Sequence, residues 1–216
     1  VCSSDLKIMP FRLALLRHPE IVRYARTLED PYQAADESLS AAGREHATRL
    51  GELLARRFGA PPLLRGDHVP SRETTSRLAS AMPGAVVIEN PLLGARRLDP
   101  SARLTIGQLR AREQAAQRAV FTAHGGDESI YQHRCRVESW LAATIAVATE
   151  DESVVVVADG ATIEHLHAAV QGVGIAASAV AHARCDIGCF HLWEARWIDG
   201  SPLWSLVGVN LGAPRA

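Results

Sequence analysis

The sequence predicts an α/β fold, a three-layer α/β/α sandwich around a mostly parallel sheet. Residues 153–158 (Ser153-Val154-Val155-Val156-Val157-Ala158) form a near-continuous apolar run with helical periodicity on both sides. That is the pattern of a strand covered on both faces. Residues 11–16 give a second short apolar run, and strand and helix signals alternate along the chain. Alternation of this kind favours a doubly wound sheet whose site lies outside the carboxyl ends of the strands.

In chain order, residues 11–16 read as a strand ending at Arg17-His18-Pro19-Glu20, followed by a polar, proline-containing loop to about Glu37. Ala47, Leu50, Leu53 and Leu54 recur at helical spacing, with Ser40 as N-cap and a stop at Phe58-Gly59 before Pro61-Pro62. A short segment at His68 to Pro70 leads into a second helix around residues 73–81, and residues 85–88 read as another buried strand. Residues 90–104 are irregular, and helical patterning then runs to about Val120. Residues 128–148 form an amphipathic helix with Val137, Trp140, Leu141 and Ile145 on one stripe. After the strand at 153–158, Asp159-Gly160 opens a helix to about Gln171, and residues 189–197 and 203–209 finish the chain as strands.

A length of 216 residues suits one domain, placed at residues 9–216. Back-translated, residues 1–6 read as the end of a sequencing adapter, so residues 1–8 are taken as an assembly scar outside the fold. The net charge of −1 supplies no general field for nucleic acid or an anionic membrane surface. No apolar run approaches the ~20 residues of a membrane span, and a cytoplasmic location is expected. Cys135, Cys185 and Cys189 are expected to be reduced thiols, with no metal site and no cofactor.

The informative motif is Leu15-Leu16-Arg17-His18-Pro19-Glu20. A guanidinium can grip phosphoryl oxygens in a fork, and a neutral imidazole can attack phosphorus. The segment resembles the L-x-R-H-G-E motif of the histidine phosphatase (phosphoglycerate mutase-like) superfamily, with Pro19 in place of glycine. Leu39-Ser40-Ala41-Ala42-Gly43-Arg44-Glu45-His46-Ala47 is similar to the family's L-T-x-x-G-x-x-Q-A helix start. Ser71-Arg72-Glu73-Thr74-Thr75 resembles its second arginine segment, and Asp127-Glu128-Ser129 its G-E-S segment. Residues 154–160 occupy the place of the strand ending in H-G-G. These matches follow the family's order over nearly the whole chain.

The resemblance implies a two-step phosphoryl transfer on a small phosphorylated molecule. It makes His18 the nucleophile and Arg17 and Arg72 the phosphate clamps, with Arg77 as rival to Arg72. At the place of the second histidine stands Asp159, a like charge for a phosphate dianion. It could be protonated and serve as proton donor, pair with Arg17, bind a cation on the ligand, or simply N-cap the following helix. The family's acid after the third strand is also missing: Pro91-Leu92-Leu93-Gly94-Ala95 offers no carboxylate, and Asp99 is the next acid along the chain. Ala123-His124-Gly125-Gly126 imitates the second-histidine motif but falls before Glu128-Ser129, which makes His124 a loop residue.

Several other features read as structural. Gly172-Val173-Gly174 follows a helix and so suits a helix end better than a nucleotide site. His165 and His167 lie on different helix faces and form no metal pair. Arg96-Arg97 reads as a solvated pair. Two functions stand side by side: hydrolysis of a phosphomonoester through phospho-His18, or a non-catalytic member that binds a ligand or partner, as Asp159 suggests. A homodimer through an exposed strand near Trp193 or Trp197 is a further expectation.

Overall fold

Strand β1 (Phe11–Arg17) sets the architecture, because its side chains alternate between two cores. The computed structural model describes residues 9–32, 37–99, 103–123, 126–174 and 184–212. Leu13 and Leu15 face one apolar cluster with Val137, Trp140, Ile163 and Leu166. Ala14 and Leu16 face the other, with Leu50, Leu54 and Leu78. Successive strand residues point to opposite faces, so an unbroken apolar run buries both sides of a sheet. Each fully buried leucine contributes about 1.5–3 kcal/mol of transfer free energy.

The other strands are β2 (Leu63–Arg65), β3 (Val87–Glu89), β4 (Ser153–Ala158), β5 (Phe190–Ile198) and β6 (Ser201–Leu211). Their order in the six-stranded sheet is β3-β2-β4-β1-β5-β6. The first four positions are parallel, and β5 and β6 form an antiparallel hairpin added beside β1. Helices α1 (Ala41–Phe58) and α2 (Val69–Ala81) supply the Leu50, Leu54 and Leu78 core. Helices α4 (Ile130–Ile145) and α5 (Gly160–Val170) supply the opposite one, and α3 (Ile106–Arg118) leads from the irregular segment toward α4. No helix among the described residues is long and apolar enough to cross a membrane.

Local signals explain the helix ends. Ser40 Oγ accepts from Gly43 N at 3.0 Å, and Gly59 ends α1 at φ 72°. Ser129 and Gln132 form a reciprocal capping box, so α4 begins at Ile130 and leaves Glu128 outside. Glu128 pairs instead with Arg136 at 2.8 Å.

Three expectations change. The short β2 lay hidden behind Pro61-Pro62, since three residues carry too little periodicity to register. Strand β3 starts later than read and is exposed, because it is the sheet edge rather than an interior strand. Trp193 is buried, and β5 is paired on both sides by β1 and β6, so that strand is not free to meet another subunit.

Candidate active site

Parallel pairing of β1 with β4 places Arg17 opposite Ala158, and His18 N donates to Ala158 O at 3.1 Å. His18 and Asp159 therefore leave the sheet side by side. From behind, Gly188 N donates toward the carbonyls of Arg17 and His18, and Arg17 N donates to Cys189 O. The backbone that presents the Arg-His pair is thus held from two strands and one turn. Gly188 has φ 69°, and a Cβ there would run into the His46 ring, so only glycine fits this turn.

The His18 ring is 2% exposed, and its Nδ1 lies 2.8 Å from Pro19 O. A carbonyl only accepts, so Nδ1 carries the proton and Nε2 keeps its lone pair. Burial, with help from the His68 ring and Arg17, lowers the imidazole pKa from 6.5 to about 4, against the pull of the Pro19 carbonyl and Asp159.

Arg17 Nη1 donates to Cys185 O at 3.0 Å, and its guanidinium lies against the first residue of α5. A Cβ on Gly160 would sit 3.0 Å from Arg17 Cζ. Arg17 Nε is buried with no hydrogen-bond partner among the described residues and is available to an incoming acceptor. Cys185, whose carbonyl anchors Arg17, has its thiol pushed up to about 12 by burial and is a packing residue rather than a nucleophile.

Asp159 caps α5: its carboxylate accepts from Ala161 N at 3.2 Å and Thr162 N at 3.3 Å. The Thr162 hydroxyl also donates to Asp159 Oδ1, and His133 Nε2 lies 3.1 Å from that hydroxyl. Burial alone would raise the carboxyl pKa, but His133, His68, the Thr162 hydroxyl and His18 outweigh it and hold it at about 2. Asp159 is therefore an ionised cap, neither the partner of Arg17 nor a protonated acid in this state. It also takes up amides at the α5 N-terminus that would otherwise face an anion.

One site residue escaped the sequence reading. His68, the residue before α2, meets His18 edge to face with centroids 5.7 Å apart. Its Nε2 lies 3.2 Å from Glu37 Oε2, while Glu37 Oε1 pairs with Arg23 at 2.8 Å. Burial would raise the Glu37 carboxyl, but His68, Arg23 and the Tyr32 hydroxyl keep it below its ordinary range. Because β2 runs parallel to β1 and β4, the loop after it emerges at the same end of the sheet. Recognising β2 would have placed residues 66–68 at the site.

The loop that carries the acid in the family's pattern is fixed here as backbone. Arg136 donates to the carbonyls of Pro91, Leu92, Gly94 and Ala95. Gly66 and Gly94 meet backbone to backbone, leaving no room for a Cβ on Gly66. Asp99 N bonds Asp127 Oδ1, which ties that residue to the 97–99 and 126–128 junction. Half-buried Glu113 on α3 has its carboxyl pKa raised, by burial first and by the charges of Asp159 and Glu37 in addition, while Arg23 and Arg96 oppose the rise.

Arg72 is not brought to this cluster. Ser71, Thr74 and Thr75 turn to the buried face of α2, so Arg72 falls on the exposed face, as does Arg77. Arg72 lines a surface groove of about 520 Å³ with Arg65, Ser76, Ala79, Ser80 and Val87, none of which surrounds His18. Arg96 is not a solvated cation either: its side chain is 9% exposed, 4.0 Å from Asp127, and donates to Glu128 O. His165 stacks edge-on against His133, and His167 is buried against His191 and Trp193. His124 lies outside the described residues.

Comparison with known proteins identifies the family and its fold. The profile of the histidine phosphatase superfamily (branch 1) matches residues 13–198. Among solved structures, mycobacterial hydrolase 2 is 24% identical with a TM-score of 0.76, covering 95% of this chain and 92% of that one. A mycobacterial glucosyl-3-phosphoglycerate phosphatase complexed with VO3 is 24% identical with a TM-score of 0.75, covering 93% and 99%. Bacillus stearothermophilus YhfR is 16% identical with a TM-score of 0.72, covering 92% and 97%. A search of curated proteins finds no match. With the family profile spanning most of its length, the chain belongs to the histidine phosphatase superfamily, branch 1.

Proposed function

We propose that this protein hydrolyses a small phosphomonoester through a phosphohistidine on His18. The observation that carries the reading is the His18 ring, buried, neutral and tied at Nδ1 to Pro19 O so that Nε2 is free to attack phosphorus. Arg17, whose Nε has no partner among the described residues, holds a phosphoryl oxygen. Arg72 stands outside this set. That a similar fold is a glucosyl-3-phosphoglycerate phosphatase, solved with VO3, supports a small phosphorylated ligand.

A second reading has its own observation. The Asp159 carboxylate is ionised and occupies the amides at the α5 N-terminus, which favours a non-catalytic protein that binds a ligand or partner. A broad phosphomonoester panel separates the two, run with wild type, His18→Ala and Asp159→His. Turnover by wild type, lost in His18→Ala together with acid-labile phosphate on the protein, is the expected result. An inert wild type that gains activity only as Asp159→His would overturn the catalytic reading.

A further inference from the structure

We infer that His68 is the proton donor to the leaving group, held in place by a hydrogen bond from its Nε2 to Glu37. This rests on the phosphohistidine reading and fills the acid role left open by residues 91–95. Three observations support it. The His68 ring packs edge to face on His18, at the same carboxyl end of the sheet. Its Nε2 is bound by Glu37, which Arg23 fixes in turn. Its other nitrogen, Nδ1, is buried with no hydrogen-bond partner among the described residues, so it is the ring atom left for a ligand.

The chemistry balances around these atoms. His18 Nε2 gives its lone pair to phosphorus, the P–O ester bond breaks, and its electron pair stays on the ester oxygen. The imidazolium of His68 passes its Nδ1 proton to that oxygen, and the alcohol departs. Water then attacks the phosphohistidine and gives a proton to His68 Nδ1. The P–N bond breaks with its electrons returning to His18 Nε2, and phosphate leaves. His68 is a catalytic residue in this scheme; Glu37 and Arg23 are positioning residues. Among the described residues, the charged or titratable groups that face His68 are His18, Glu37 and Asp159.

Leaving-group dependence tests the assignment. Glycerol phosphate has a poor leaving group that needs a proton, whereas p-nitrophenyl phosphate has a good one that does not. General acid catalysis contributes about 10²–10⁴-fold. His68→Asn and His68→Gln should therefore lower kcat/KM for glycerol phosphate by about that factor, and for p-nitrophenyl phosphate by less than about tenfold. Asn retains an N–H near Nδ1 and Gln one near Nε2, so one folded variant suffices, checked by tryptophan fluorescence. Glu37→Gln should give a smaller loss on glycerol phosphate, with recovery in Glu37→Asp. Equal losses on both substrates, or a leaving-group-selective loss in Glu113→Gln instead, would overturn the role of His68. A wild type that neither turns over substrate nor carries acid-labile phosphate on His18 would overturn the parent reading, a different outcome.

Discussion

The Nδ1 of His18 lies 2.8 Å from the carbonyl oxygen of Pro19, and this contact leaves Nε2 as the ring nitrogen with its lone pair. The ring's lowered pKa has a consequence for stability as well as for chemistry. The unfolded chain binds a proton at His18 near pH 6.5, the native one only near pH 4.

His18 thus contributes stability that is present above pH 6.5 and is lost as pH falls toward 4, by about 3 kcal/mol in total. His167, also lowered to about 4, and His133 and His191, lowered in the same direction, add to the slope. Urea unfolding followed by tryptophan fluorescence should show a falling midpoint between pH 7 and 4.5. A His18→Asn variant should show a shallower fall. A midpoint independent of pH over that window would contradict a neutral buried His18.

Replacing Asp159 separates its cap from its charge. Asparagine caps almost as well as aspartate, while alanine loses about 1 kcal/mol. Asp159→Asn should therefore match wild-type stability, and Asp159→Ala should be less stable by that amount. Like charges ~4 Å apart repel by about 4 kcal/mol at an effective dielectric near ~20. Calorimetry with vanadate should show binding to Asp159→Asn tighter by roughly tenfold or more. Unchanged affinity would mean that the carboxylate does not face the ligand.

Gly160→Ala probes Arg17. The new Cβ would meet the guanidinium at 3.0–3.3 Å, a flexible group that can shift, so stability should change by less than about 1 kcal/mol. The shift moves the clamp, and vanadate affinity should fall several-fold. Retained affinity would place the anion away from Arg17.

Arg72→Ala should be silent. An exposed side chain outside the His18 cluster should leave stability within about 0.5 kcal/mol. Activity should stay within about twofold, because small surface changes rarely reach a site they do not touch. A large loss of kcat/KM would restore Arg72 as a clamp.

Much of the scaffold was legible because it rests on patterns that survive without tertiary context. The apolar runs of β1 and β4, the Ser40 cap and the Asp159-Gly160 helix start are of this kind. The family order of the motifs carried the rest of the fold. What stayed hidden depends on phase and edge. A three-residue strand gave no period, so the loop bearing His68 went unrecognised as part of the site. The helical phase of α2, set by buried Ser71, Thr74 and Thr75, decides where Arg72 points, and starting that helix four residues late obscured it.

The β1–β4 pairing carries one more implication, for the order of events in folding. Arg17 and Ala158 are neighbours in the sheet but 141 positions apart in the chain (158 less 17). Closing so large a loop is slow, and parallel pairing rewards it only late. During synthesis, His18 is made well before Asp159, its neighbour in the sheet, and its Gly188 backing comes later still. The His18 ring therefore stays unburied and unassembled in any nascent or truncated chain that lacks β4, whatever its other helices have formed.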